Sequence, residues 1–451
     1  MKRIILYILA IVSVIACADD EDFSTSSSDR LSMSVDTLLM DTVFAQVGSS
    51  TYTVWVYNCG DKALRLTSVK LKSGNQTGFR VNVDGEYLDN QLGSVVTDLE
   101  LRSGDSLRVF VELTSPATRK DEPQEVSDDL LFTLESGVVQ ALHMKAWAWD
   151  ALKMTDKVIS RDTVIDSPNT PIIIYGSGLR VDSGAVLTIR NTTLYFHDGA
   201  GIDVYGTLKT ENSTMRGDRL DRMFDYLPYD RISGQWRGLW FAPSSTSNEL
   251  SDTEIRNAMT GVHLADSAVC DSTKPRLVMT HCVVHNMKGY GVISYNSNIR
   301  LEYCQITNTW GDCLAVYGGS CLIDHCTLAQ FYPFAADRGA ALRFVSNDSV
   351  RLKCSQSLLT GYASDVLMGE QKDTAAVMDY EFSDCLLRTP RVDDDTIRFR
   401  NIIWETDKDS IQGKQHFVAI DEDNLYYDFH LDSLSTAKGM GCYGASLKDN
   451  G

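Results

Sequence analysis

Between Thr280 and Gln330 the apolar and polar positions repeat with a shift of 22 residues. Cys282, Cys304 and Cys326 share one column, and Val284, Ile306 and Leu328 share the next. Asn286, Asn308 and Gln330 follow, then Gly289 over Gly311, Val292 over Leu314, Tyr295 over Tyr317 and Ile299 over Cys321. A fixed period of this size marks stacked coils, none of which can bury its apolar face alone. Within a coil the parity of alternation slips. Ile299 and Leu301 alternate around Arg300, and Cys304 and Ile306 around Gln305. The odd step between the pairs predicts a bend at Glu302-Tyr303, because unbroken alternation would turn one pair outward. Asn308 and Gly311 mark a second bend. The pattern predicts three short strands per coil, stacked at the parallel-strand spacing of about 4.8 Å.

The same unit, a small inward residue, one spacer and an apolar residue, extends in both directions. It occurs at Thr192/Leu194, Ser213/Met215, Thr253/Ile255, Cys282/Val284, Cys304/Ile306, Cys326/Leu328, Ser357/Leu359 and Cys385/Leu387. The steps are 21, 40, 29, 22, 22, 31 and 28 residues, so the shortest define a bare coil and the longer ones carry outward loops. The largest insertion, near 217–235, holds Met223, Phe224, Tyr226 and Tyr229. Residues 31–150 read differently. Thr53 to Tyr57 alternates, Asn58-Cys59-Gly60-Asp61 turns, Ala63 to Leu71 alternates again, and Leu107 to Leu113 and Val138 to Trp149 supply further strands. Roughly seven short strands predict a β-sandwich. The fold class is therefore all-β: a sandwich over 31–150, then a coil domain over 151–451.

The coil pattern resembles the right-handed parallel β-helix of the pectate-lyase-like superfamily over roughly residues 158–440. A leucine-rich repeat shares the period but needs an L-x-x-L-x-L-x-x-N consensus that is absent. Under the resemblance, Asn257, Asn286, Asn308 and Gln330 form an asparagine ladder at a coil corner, since amides donate and accept at once. The segment Asp428 to Ala437 is similar to the D-F-x-L-x-x-x-S-x-A end of secreted β-helix proteins, where it covers the open end of the stack and its unpaired edge. The 31–150 segment resembles immunoglobulin-like modules of bacterial surface proteins.

Composition adds an address. The formal charge is −19, which leaves nothing to neutralise phosphates and excludes nucleic acid as a partner. Residues 1–16 read as a signal peptide: Lys2 and Arg3, then an apolar run from Ile4 to Ala16 too short for a bilayer core of about 30 Å. Val14-Ile15-Ala16-Cys17 resembles the bacterial lipobox, which implies acylation of Cys17 by diacylglycerol and palmitate-type chains. Asp19 to Asp22 resembles the export signal of Bacteroidota surface lipoproteins, and 17–30 forms a polar linker. The expected location is the outer membrane, lipid-anchored and facing the cell exterior.

Ten cysteines remain after Cys17. The inward column of Cys282, Cys304, Cys326 and Cys385 alternates with Ser and Thr, which favours free thiols as small core fillers over disulfides. Glu302 and Asp324 share a column at a bend. Paired carboxylates there suit Ca²⁺ or a general acid, as in lyases on the resembling fold, whose basic residues neutralise a uronic acid. Lys288, Arg300 and Arg338 are available but form no motif. The outward column His281, Tyr303 and His325, the loop residues Tyr226 and Tyr229, and Trp236, Trp240 and Trp310 are candidate sugar platforms. No metal motif and no cofactor motif is present, so no cofactor is expected outside the calcium alternative. The leading expectation is a non-catalytic protein that binds a glycan or another extracellular polymer along the coils. The alternatives are a polysaccharide lyase or hydrolase acting on acidic polysaccharide, and a structural or adhesive surface protein.

Overall fold

A computed structural model describes residues 22–443 apart from Asp225, Ala268, Val269 and Ser272. The signal segment, Cys17 and the acidic run as far as Glu21 lie outside the described residues. The chain divides into two compact units between Asp150 and Ala151.

The first unit is a β-sandwich. One sheet has the order Ser32–Met33, Tyr52–Tyr57, Ser106–Leu113, Phe79–Val83, Glu86–Tyr87. The other runs Thr37–Phe44, Val139–Trp149, Gln124–Leu134, Leu64–Leu71, Val95–Val96, with Leu99–Leu101 also paired to Leu64–Leu71. Period-two alternation sends Val54, Val56, Val109 and Val111 from the first sheet and Leu66, Phe132, Leu142 and Met144 from the second into one core. The turn after Tyr57 is tied by Asn58, whose buried amide donates to the carbonyls of Lys62, Leu101 and Arg102.

The second unit is a right-handed parallel β-helix, with 23 strands among the described residues. Val292 lies opposite Leu314, Tyr295 opposite Tyr317 and Ile299 opposite Cys321. Val284 lies opposite Ile306, and Ile306 opposite Leu328. The 22-residue columns are thus rungs of the stack. Each coil has three faces. A first face contains Gly201–Val204, Gly238–Phe241 and Val262–Leu264 and the leading halves of Val292–Glu302, Leu314–Asp324 and Leu342–Ser355. A second contains the trailing halves of those strands with Leu277–Thr280 and Met378–Ser383. A third contains Val283–Met287, Gln305–Thr309, Thr327–Gln330 and Leu358–Gly361.

The corner between the second and third faces explains the small inward column. Asn191, Asn212, Asp252, His281, Tyr303, His325, Gln356, Asp384 and Asn401 occupy it in successive coils, all with φ between 44° and 54°. This left-handed conformation suits Asn and Asp and costs other side chains. The next residue holds it closed. Oγ of Thr192, Ser213, Thr253 and Ser357 donates to the carbonyl two residues back at 2.7–2.8 Å. Sγ of Cys304 and Cys326 does the same at 3.3 Å. The same atoms also accept: the Cys304 N–H donates to Cys326 Sγ at 3.4 Å, and the Cys326 N–H to Ser357 Oγ at 3.0 Å. The cysteines are free thiols, as the alternation with Ser and Thr implies, but they are more than filler. A short side chain that both donates and accepts is what the corner requires, and Ser, Thr and Cys share that property.

The third face is covered on its outer side. Ala329, Phe331, Leu358 and Leu386 pack outside the coil core against Phe417, Ile420, Phe429, Leu431 and Ala437. The Asp428–Ala437 segment therefore lies along the flank of the stack, not across its open end as its similarity to other β-helix termini implied. The strands it covers, Gln305–Thr309 and Thr327–Gln330, are buried on both sides, and outward Ala329, Leu358 and Leu386 give it an apolar bed. A buried polar staple fixes the segment. Glu405 accepts from Arg388 Nη1 and the Gly413 N–H at 2.6 Å each and lies 3.2 Å from His416 Nε2, while His416 Nδ1 lies 2.9 Å from Ser435 Oγ.

Candidate functional site

The asparagine column occupies the corner between the third and first faces. Asn257, Asn286 and Asn308 have φ of 64°, 62° and 54°. Asn286 donates to Asn257 Oδ1 at 2.9 Å, and both amides donate onward to carbonyls of the 217–235 insertion, at Asp230 and Arg231. The ladder stops there. The buried Asn308 amide has no partner among the described residues, and Gln330 turns to Gly311 O and Thr309 Oγ1. Gln330 carries one more methylene and is not in the left-handed region, so its amide misses the rung.

Beyond this corner a groove of about 540 Å³ opens on the first face. That is within the usual size range of ligand sites. Its floor depends on glycine: a Cβ on Gly339 would stand 2.4 Å from the Asp312 nitrogen and the Gly311 carbonyl carbon. Coils therefore approach closely there, and the side chains on either side, Tyr290, Trp310 and Asp312, form the wall. Trp310 is 41% exposed. Tyr317 and Arg343 enter from the outward positions of the first face, and Tyr317 stacks on Tyr295 with centroids 5.0 Å apart. Burial, with Tyr290 and Asp312 adding to it, pushes the Tyr317 hydroxyl up to about 12, so it is a donor at neutral pH.

The electrostatics are set by a nearly buried acid. Asp312 Oδ1 accepts the Ala340 N–H at 2.7 Å, and Oδ2 accepts Arg343 Nε at 2.8 Å. The pairing raises the Arg343 pKa and fixes the guanidinium through Nε at the groove lining. Lys288 lines the near rim, its stem packed against Gly234 of the insertion. Asp337, Glu370 and Lys372 line the far rim, with Lys372 and Glu370 4.0 Å apart.

The residues singled out from sequence are scattered over the second unit. Glu302 and Asp324 are directly opposite on adjacent coils. They lie at the second-to-third-face corner, away from the groove, and each is engaged: Glu302 accepts from Arg300 Nε at 2.6 Å, and Asp324 accepts from Ser355 Oγ at 2.5 Å. Among the described residues no group of three or more His, Cys, Asp or Glu side chains is arranged to hold a metal ion. His281, Tyr303 and His325 stack in one exposed-edge column at 5.2 and 4.7 Å. Tyr226 is 79% exposed at the tip of the insertion and stacks on Phe224, whereas Tyr229 is covered by the Arg219 guanidinium at 4.2 Å. Trp236 is core, stacked on Phe196 at 4.1 Å; Trp240 meets Tyr205 edge-on; Arg338 lies over Tyr362. Of the candidates only Lys288 and Trp310 reach the groove. Tyr290, Asp312 and Tyr317 lie within the 22-residue repeat but nothing in it joined them to a site, and the 28-residue step from Leu314 to Leu342 hides the rung of Asp337 and Arg343, with Glu370 and Lys372 one coil further on.

Two other constellations have the order of catalytic groups. Ser435, His416 and Glu405 line up as nucleophile, base and acid, but His416 is wholly buried and Ser435 nearly so. They serve as the staple of the C-terminal segment. His197 Nδ1 lies 2.8 Å from the buried Asp218, with Tyr175 beside the ring.

Residues 157–328 match the family model for the right handed beta helix region. No curated protein matches the chain. Among solved structures, the VesB protease of Vibrio cholerae aligns at 14% identity over 28% of this chain and 33% of that one, with a TM-score of 0.18. A family 123 glycoside hydrolase from Clostridium perfringens aligns at 6% identity over 30% of each chain, with a TM-score of 0.20. This chain spans about a third of either protein, and likeness this slight carries no argument about activity. The family match is one of coil architecture, and it covers the strands that build the near wall of the groove.

Proposed function

We propose that this chain is a lipid-anchored protein of the outer cell surface that binds a glycan in the first-face groove without transforming it. The observation that carries the reading is one groove lined by the exposed Trp310 and by an arginine held through Nε by a buried aspartate. A sugar ring stacks on an aromatic face and hydrogen-bonds at its edge, and the groove offers both. Tyr290, Tyr317 and Lys288 add donors around the same space. The anchor rests on Cys17 and its preceding apolar run.

A glycan-array screen of the parent protein, repeated with Trp310→Ala, tests the binding. The expected result is a set of bound glycans that Trp310→Ala loses by at least about tenfold, equivalent to about 1.4 kcal/mol. Unchanged binding by the variant contradicts the assignment. Product formation from a bound glycan would replace the binder by a lyase or hydrolase. For the anchor, Cys17→Ala should move the protein from the detergent phase to the aqueous phase.

A further inference from the structure

The groove contains three cations and three anions, and they are matched. Arg343 is neutralised by Asp312 at 2.8 Å, on a carboxylate that is only 3% exposed. Lys372 faces Glu370 at 4.0 Å. Lys288 and Asp337 complete the lining. The surrounding chain carries a formal charge of −19, so the long-range field disfavours a polyanion at any approach. A polyuronate bears a carboxylate on every ring. Binding it here would either leave those carboxylates unpaired or break the Asp312–Arg343 pair, and either costs more than it returns. Hydroxyl groups make no such demand. The Arg343 guanidinium, the Tyr317 hydroxyl and the indole N–H of Trp310 are donors that an uncharged sugar hydroxyl can accept from while the ring packs on the indole.

We infer that the ligand of this groove is a neutral glycan and that acidic polysaccharides are excluded from it. The inference rests on the groove being the binding site. It goes beyond that reading by fixing the charge class of the ligand, and it makes exclusion a property of two removable carboxylates. Asp337 and Glu370 are exposed on the rim, and neither holds the fold's core.

The test is calorimetric titration of the full chain with neutral and uronate oligosaccharides of matched length. Parent protein should bind a neutral oligosaccharide with an affinity that changes less than about twofold between low and high salt, since no net ion pairing is involved. Uronates should bind at least about tenfold more weakly. The double variant Asp337→Asn, Glu370→Gln leaves Lys288 and Lys372 unmatched. It should gain uronate affinity by several fold, with a new salt dependence, and a uronate affinity no higher than the parent's overturns the charge inference. Tighter uronate binding by the parent that Trp310→Ala abolishes overturns the charge inference and leaves the groove in place. Binding of either class that Trp310→Ala does not alter, or no binding of either class, overturns the groove assignment and the inference with it.

Discussion

Replacing Cys326 separates a corner that needs hydrogen bonding from a core that needs only volume. Cys326 Sγ donates to the Asp324 carbonyl at 3.3 Å and accepts the Cys304 N–H at 3.4 Å. In Cys326→Ser both bonds survive with the geometry already present at Ser357. The hydroxyl is smaller than the sulfur, and its burial is offset by the stronger bonds. The expected loss is about 1 kcal/mol or less. In Cys326→Ala the Cys304 N–H is left buried without an acceptor, at about 1–3 kcal/mol, and the missing sulfur adds about 1 kcal/mol of cavity. The expected total is about 2–4 kcal/mol. Cys326→Val restores volume but not the donor or acceptor, so it should rank with Ala or below it. The assay is urea unfolding followed by pulsed alkylation of Cys282, which is fully buried in the second unit and reports that unit alone. A ranking in which Val or Ala equals or exceeds Ser would refute the reasoning and return the column to plain apolar filler.

Other outcomes follow from the same contacts. In native protein, alkylation should label the exposed Cys59 first and the half-buried Cys270 more slowly. The other eight described thiols should react only on unfolding, as mass analysis would show. Asn286→Gly should cost about 1–2 kcal/mol through the lost ladder bonds. Asn308→Gly should lie within about 0.5 kcal/mol of the parent, since its amide has no partner among the described residues and glycine relieves the positive φ. His285 packs under Tyr427 and Phe429, and burial, with Arg231 and Arg256, pushes its pKa down to about 3. The folded ring stays neutral while the unfolded ring gains a proton below about pH 6.5, so stability is lost as pH falls. The loss should approach about 1.4 kcal/mol per pH unit toward pH 3, and His285→Gln should flatten the slope in urea melts.

Much of the fold was legible because its period is short and its corners are chemical. The shift that aligns Cys282, Cys304 and Cys326 is the true rung, and the parity slip at Glu302-Tyr303 is the left-handed Tyr303. Asn and Asp at Asn191, Asn212, Asp252 and Asp384 carry the same message locally, while Tyr303 and Gln356 do not, because the stack imposes the conformation on them. The covering of the third face was not legible. Ala329, Leu358 and Leu386 look like one more alternating column until Phe417 and Phe429 are placed outside them. The groove was the least legible part. Its wall depends on which residues follow glycines at a corner, and its charge on Asp312 reaching Arg343 across a 28-residue coil. Trp310 stands out as a possible sugar platform and Lys288 as a scattered basic residue, and nothing in the sequence joins them.

Hydroxyl-radical footprinting with and without a glycan from the array reads the proposed site most directly, since the competing sugar platforms are aromatic residues with their own oxidation signals. Bound glycan should protect Trp310, and to a lesser degree Tyr290 and Tyr317, while Phe224, Tyr226, Tyr303 and Trp240 keep their free-state rates. Protection at Tyr226 would move the site to the tip of the 217–235 insertion, and protection at Tyr303 to the His281–His325 column. Either result, with Trp310 unchanged, contradicts the groove.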